Sequence, residues 1–328
     1  MATMSKRNCN IDAIRGIACI FVVLVHCVLP GEFGQYMIAY ARFAVPFFVL
    51  VSGWFAYHED RHKVHGYCLR KLKDTCKLTV SAALLYFLWN SLNNYFSSGD
   101  AIGWLISYFS NGDSWYNLIV YNRAVFLNSV MYYLLMMIYV YIIIIAATEM
   151  RLLNLLKWFI PVGLVWNYVL GAVVRAPWFH SGNFLLTALP FFLLGMQLRS
   201  WSRTHSFKPA LLYGMLSVGL LLTYIEASCF GDVYCYVGSV LISVSVLLLC
   251  TTDAGLKMPD WMATFGRNYS TYIFILHCGL RDTLKLVIKD SSTELYQWIS
   301  PWAAIALAVV IAIVCRGISR KLKKTRDL

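Results

Sequence analysis

Apolar stretches of about twenty residues, each bounded by short polar or charged segments, recur from one end of the chain to the other. About twenty apolar residues let a helix cross the ~30 Å hydrocarbon core of a bilayer. The pattern predicts about ten such helices, near residues 11–29, 37–57, 78–96, 125–148, 158–174, 183–198, 209–227, 234–252, 261–280 and 298–315. An all-α, polytopic membrane bundle follows, because only helices or closed barrels satisfy their backbone polar groups in lipid. Segment 100–122 breaks the pattern: it is rich in Trp and Tyr and poor in charge, which suits a partial lid lying along the outer membrane surface.

Composition sharpens this picture. Hydrophobic residues make up 59% of the 328-residue chain and charged ones 13%, against about 25% charged in an average soluble domain, so a water-soluble globule is excluded. Lys6 and Arg7 precede the first apolar run, and no small-residue cleavage site follows it; the first segment is expected to remain as an anchor. The whole chain, 1–328, reads as one membrane domain without a soluble appendage.

The net charge of +12 fits membrane orientation better than nucleic acid, since no Lys/Arg-rich domain stands apart from the spans. With the N-terminus on the cytoplasmic side, twenty of the 28 basic residues fall in inner segments, five in outer ones (Arg123, Arg175, Arg281, Lys285, Lys289) and three within spans. Positive charge accumulates inside, so both termini are expected in the cytoplasm and the protein in a cell (plasma or inner) membrane, in contact with lipid on all sides.

Five ionisable residues within spans matter here: Arg15, His26, Arg42, Arg267 and His277. Each costs at least ~2.5 kcal/mol near the bilayer centre unless it faces protein or water, which makes each a candidate functional group. At ~1.5 Å per residue, His26, Arg42 and His277 converge on the outer third, together with Tyr132, Tyr133 and Asn183. Arg15 and Arg267 lie toward the inner side, where snorkelling to the interface is the alternative to a ligand-binding role. An imidazole whose ordinary pKa of about 6.5 lies near working pH can act as a general base. A guanidinium beside it would stabilise negative charge on a carbonyl oxygen. Together these are ingredients of acyl transfer.

Weaker signals surround this set. His58, His62 and His65 fall at i, i+4 and i+7, a spacing that aligns them on one helix face, but Arg61, Lys63, Arg70, Lys71 and Lys73 would repel a metal cation. The segment reads as a basic, lipid-facing loop that could also hold an anionic cytoplasmic donor. No metal site is expected. Cys229 and Cys235 flank a short outward loop and would pair only in an oxidising compartment, so the sequence leaves their state open. Ser52, Gly53 and Gly195 suit close helix packing. No GxxxxGK[ST], GxSxG or HExxH motif occurs, which removes support for ATP-driven transport, serine hydrolysis and zinc proteolysis.

The segment Asn10-Ile-Asp-Ala-Ile-Arg15-Gly-Ile-Ala, with His26 ten residues beyond the arginine, resembles the first-helix signature of the acyltransferase-3 family of integral membrane acyltransferases. Arg42-Phe-Ala-Val-Pro46-Phe-Phe-Val-Leu-Val-Ser52-Gly53 is similar to the family's second-helix motif. Asn183 through Pro190 to Gly195 is similar to its middle motif, and Phe265-Gly266-Arg267-Asn268-Tyr-Ser270-Thr-Tyr272 through His277 to its late one. One departure is Met131, which stands before Tyr132-Tyr133 where many members carry Trp.

The resemblance implies a ten-helix core that takes an acyl group, usually acetyl, from cytoplasmic acyl-CoA to a hydroxyl of an extracytoplasmic carbohydrate or envelope acceptor. It implies His26 as the catalytic histidine and Arg15 and Arg42 as essential arginines, with Tyr272 and His277 carrying over less firmly. Acyl-CoA is then a co-substrate held near Arg15, Ser52, Arg267 and Asn268, no cofactor is resident, and a partner protein would finish transfer if this chain does not transfer directly. His26 either deprotonates the acceptor or takes the acyl group itself. The alternative is a transporter of a small substrate such as an amino acid, as proposed for racemase-linked members of the family; a scaffold role in an envelope complex is a further one.

Overall fold

A computed structural model describes residues 8–124, 126–288 and 292–326, with side chains described up to residue 318. Lys6, Arg7, Val125, Lys289 and the side chains of the basic tail from Arg320 onward lie outside the described residues. The chain forms α1 (Cys9–His26), α2 (Gly31–Ala41), α3 (Ala44–Ala56), α4 (Arg61–Ser98), α5 (Gly103–Phe109), α6 (Asp113–Val120), α7 (Met131–Glu149), α8 (Leu153–Leu156) and α9 (Phe159–Tyr168). There follow α10 (Trp178–Ser181), α11 (Leu189–Trp201), α12 (Pro209–Phe230), α13 (Val237–Thr251), α14 (Asp260–Val287) and α15 (Glu294–Arg326). Among the described residues there is no strand.

Seven helical stretches are long and apolar enough to cross a membrane: Cys9–His26, Gly31–Ala56, Met131–Glu149, Leu153–Val173, Phe184–Trp201, Pro209–Phe230 and Glu294–Ile318. Val237–Thr251 is apolar but shorter, and the predicted spans at 78–96 and 261–280 fall inside α4 and α14, two long helices of more polar composition. The protein is a multi-pass, all-helical membrane protein.

Prolines set the breaks. Pro46 has no N–H for the carbonyl of Arg42, four residues back, and its ring would clash there; the predicted span 37–57 accordingly divides into α2 and α3 at Arg42 and Phe43. Pro190 likewise releases the carbonyl of Leu186, which accepts a bond from Asn167 Nδ2 at 3.1 Å. The preceding residues, Phe184–Ala188, relax into a π-helical turn.

Small residues set the packing. α1 and α14 run side by side in the same direction: Gly16 meets Gly266, and Cys19 Sγ lies 3.2 Å from the carbonyl of Ser270. A methyl on Gly266 would strike the backbone oxygen of Asp12. α3 and α11 cross just as closely, at Gly53 against the carbonyl of Phe192 and Gly195 against that of Leu50. In lipid such close approach replaces the hydrophobic drive available in water. Asn8 caps α1 through Ile11 N (3.0 Å) and donates to Cys250 O (2.8 Å), tying the start of α1 to the end of α13. The segment 100–122 contains α5 and α6, held together by aromatic contacts such as Phe109 with Trp115 (4.5 Å), with Trp115, Tyr116 and Ile119 exposed.

Candidate active site

Because α1 and α14 pack in parallel, the last residue of α1 and a residue late in α14 come to one level. The rings of His26 and His277 lie 5.2 Å apart. His277 is fully buried, and its Nδ1 sits 2.8 Å from Phe274 O and 3.0 Å from Ile273 O. Carbonyls only accept, so Nδ1 carries the proton and Nε2 of the neutral ring keeps a lone pair. Cys278 Sγ lies 3.2 Å from that Nε2. Both histidines border a cavity of about 250 Å³ that Arg42, Tyr132, Trp178, Asp232 and Tyr234 also line.

Arg42 reaches this cavity because the Pro46 break ends α2 at its position. Its guanidinium meets the carboxylate of Asp232 through Nε (3.0 Å to Oδ1) and Nη2 (2.8 Å to Oδ1, 2.6 Å to Oδ2). It also lies over the ring of Tyr234 at 5.7 Å, whose hydroxyl is 3.1 Å from that of Tyr132. The loop presenting Asp232 and Tyr234 is held at both ends. Gly231 turns it with a φ of +73°, a conformation that costs glycine little. Tyr236 Oη donates to Gly231 O (2.6 Å) and accepts from Val233 N (3.0 Å). The buried carboxylate of Glu226 then takes the free Val237 and Gly238 N–H groups at the start of α13 (3.1 and 2.9 Å), where an anion meets the positive end of the helix dipole.

Two further hollows lie beside the histidine cavity, in the direction of the start of α1. One, of about 140 Å³, shares Val22, Val45 and Phe274 with it and adds Arg15 and Tyr133. The next, of about 300 Å³, shares Arg15, Phe48, Leu78 and Tyr133 with the second and adds Ser52, Tyr67 and Lys71. Arg15 and His26, eleven residues apart on α1, are thus separated by about 16 Å and joined by a string of cavities. Arg15 Nη1 lies 3.8 Å from Asp12.

The structure therefore brings His26, Arg42, Tyr132 and His277 into one cavity, and Arg15, Tyr133 and Ser52 into the adjoining hollows. Four other candidates stand apart. Asn183 caps the π-helical turn, accepting from Leu185 N and Leu186 N and donating to His180 O (2.7 Å); it lines none of these cavities. Tyr272 lies on α14 outside the cavity lining. Arg267 is exposed and donates to Thr264 Oγ1 (3.2 Å), and the carbonyl of Asn268 accepts from Arg316 Nη1 (3.2 Å). Neither Arg267 nor Asn268 lines the hollows that hold Arg15 and Ser52. Asp232, Tyr234 and Trp178 were not singled out from sequence. The one available signal was Asp232 itself, the single acidic residue between Glu226 and Asp253.

Cys229 is exposed and Cys235 buried, both as free thiols. Among the described residues, His26, His277 and Cys278 form the one group whose ligand atoms lie close enough (within 4.8 Å) to hold a metal ion. Arg281, which donates to His26 O at 3.1 Å, and Arg42 place positive charge beside it. That charge disfavours a cation.

Comparison with curated proteins and with solved structures found no match. Residues 9–319 match the family profile described as an acyltransferase domain. With nearly its whole length covered, the chain belongs to the acyltransferase-3 family and is a membrane acyltransferase.

Proposed function

We propose that the protein carries an acyl group, most simply acetyl, from acyl-CoA on the cytoplasmic side to a hydroxyl of a carbohydrate or envelope acceptor on the outer side. The observation that carries this reading is the string of three cavities running from Lys71, Ser52 and Arg15 at one end to His26, Arg42 and His277 at the other. On this reading the chain crosses a cell membrane ten times with both termini inside. The donor's phosphates stay at the Lys71 end, and its thioester extends past Tyr133 and Phe274 to the histidine cavity.

His26 accepts the proton of the acceptor hydroxyl while the hydroxyl oxygen attacks the thioester carbonyl. The new C–O bond forms, the C–S bond breaks, and the proton on His26 passes to the departing CoA thiolate. Arg42 stabilises the transient oxyanion; its Nη1 is outside the pairing with Asp232, and low dielectric strengthens the interaction. Tyr132, Tyr234 and Trp178 offer a surface on which a sugar ring can stack and hydrogen-bond, and the partly open side at Asp232 gives it entry.

Mass spectrometry of surface glycans from cells carrying the wild-type protein or His26→Ala tests the reading. The acyl mass increment is expected with the wild type and absent with His26→Ala at equal protein level. An increment that survives the substitution would refute the role of His26. Uptake of a small solute into vesicles in the absence of any acyl donor would instead favour transport.

A further inference from the structure

A hollow of about 540 Å³ shares no lining residue with the string of cavities described above. It lies where the end of α3, the start of α4, the α7–α8 turn and α11 meet. Its floor is apolar, with Leu153, Leu193 and Met196, and Arg61, Arg151 and Lys157 stand around it. The acidic groups nearby are already engaged: Glu59, itself part of the lining, with Arg203 at 3.1 Å, Asp60 with the His62 N–H at the start of α4 (2.9 Å), and Glu149 with His65 at 3.3 Å. Positive charge therefore dominates the hollow. Burial, together with the charges of Lys63, Arg70 and Arg199, holds the His58 imidazole in the same lining below its ordinary pKa.

The backbone adds an independent observation. α7 ends with Leu152 N bonded to Ala147 O at 2.8 Å, and Arg151, the residue before Leu152, has a φ of +59°. Glycine usually occupies that left-handed position after a helix, because a Cβ there is strained. Asn122 and Arg175 share a positive φ; at Arg151 the side chain carried in this conformation lines the hollow.

We propose that this hollow is a binding site for a phosphate ester with an apolar portion, held by Arg151, Arg61 and Lys157 and separate from the acyl-transfer path. Arginine forks match phosphate oxygens bidentately, and the apolar floor accommodates a base or an acyl-glycerol stem. The proposal does not depend on His26 chemistry, and a binding measurement tests it even where transfer fails.

Binding to the purified full chain is measured with two probes, adenosine 3′,5′-bisphosphate for a free phosphate ligand and dihexanoyl-phosphatidylglycerol for a lipid headgroup. At least one is expected to bind saturably, and the double variant Arg151→Ala, Lys157→Ala to weaken that binding about tenfold or more. The probe that responds identifies the source. Arg151→Gly separates the site from the fold: it relieves the strained backbone, so the unfolding temperature is expected to rise while binding weakens. Neither probe binding, or binding unchanged in Arg151→Gly and in the double variant, overturns the proposal.

Discussion

Asp232 decides what Arg42 can do. The carboxylate takes Nε and Nη2 of the guanidinium in a fork geometry, and charge-assisted bonds of this kind are worth about 1.5–3 kcal/mol each to the group they hold. Asp232→Asn keeps the shape and removes the charge, so kcat/KM is expected to fall about 10- to 100-fold with the protein still folded; unaltered kinetics would show that Arg42 needs no such support. Sequence reading reached Arg42, His26 and His277 because charged groups in apolar runs stand out by their desolvation cost. It missed Asp232 because a loop residue in contact with water carries no such cost, and Tyr234 because a tyrosine at the head of an apolar run does not stand out. It placed Asn183 at the outer site from its depth, and Arg267 with the acyl-CoA contacts on the inner side from depth and resemblance. Depth fixes a level and leaves open which way a side chain points around the helix, and the amide of Asn183 serves the backbone of its own turn.

Among the helices, the pairing of α1 with α14 matters most, since it sets the separation of the two imidazoles. Gly266 permits the contact: a methyl there meets the backbone of Asp12, and backbone cannot move aside as a flexible side chain can. Gly266→Ala is expected to cost about 1–3 kcal/mol, read as a lower unfolding temperature. Transfer should fall with it as His26 and His277 separate. Full stability in that variant would contradict the packing described. The seven helical stretches long and apolar enough to cross a membrane were legible as apolar runs, since crossing lipid demands length and little else. Their internal breaks were not read, because 37–57 is continuous in hydropathy while Pro46 divides it, and because the π-helical turn before Pro190 depends on Asn167, a residue from another helix.

Across the whole molecule, adjacent cavities run from an end with Arg15 and Lys71, beside Asp74, to an end holding imidazoles. Val45 lies at the junction of the first two hollows. Val45→Trp is expected to plug that junction and to reduce transfer at least tenfold without loss of the folded protein, as monitored by acyl-CoA turnover and thermal unfolding; turnover at the wild-type level would mean that the donor arrives by another route. This continuity could not be seen in the sequence, since it arises where α1, α3, α7 and α14 meet and no local pattern encodes an unfilled space between helices.

Sidedness tests the central claim most directly. Membranes from cells making the protein, sealed as inside-out or as right-side-out vesicles, are given acyl-labelled acyl-CoA, which does not cross the bilayer, and label in the envelope acceptor is counted. The account predicts incorporation in inside-out vesicles, none in right-side-out ones, and none in either with His26→Ala. Incorporation from right-side-out vesicles, or label that persists in the His26→Ala membranes, would contradict it.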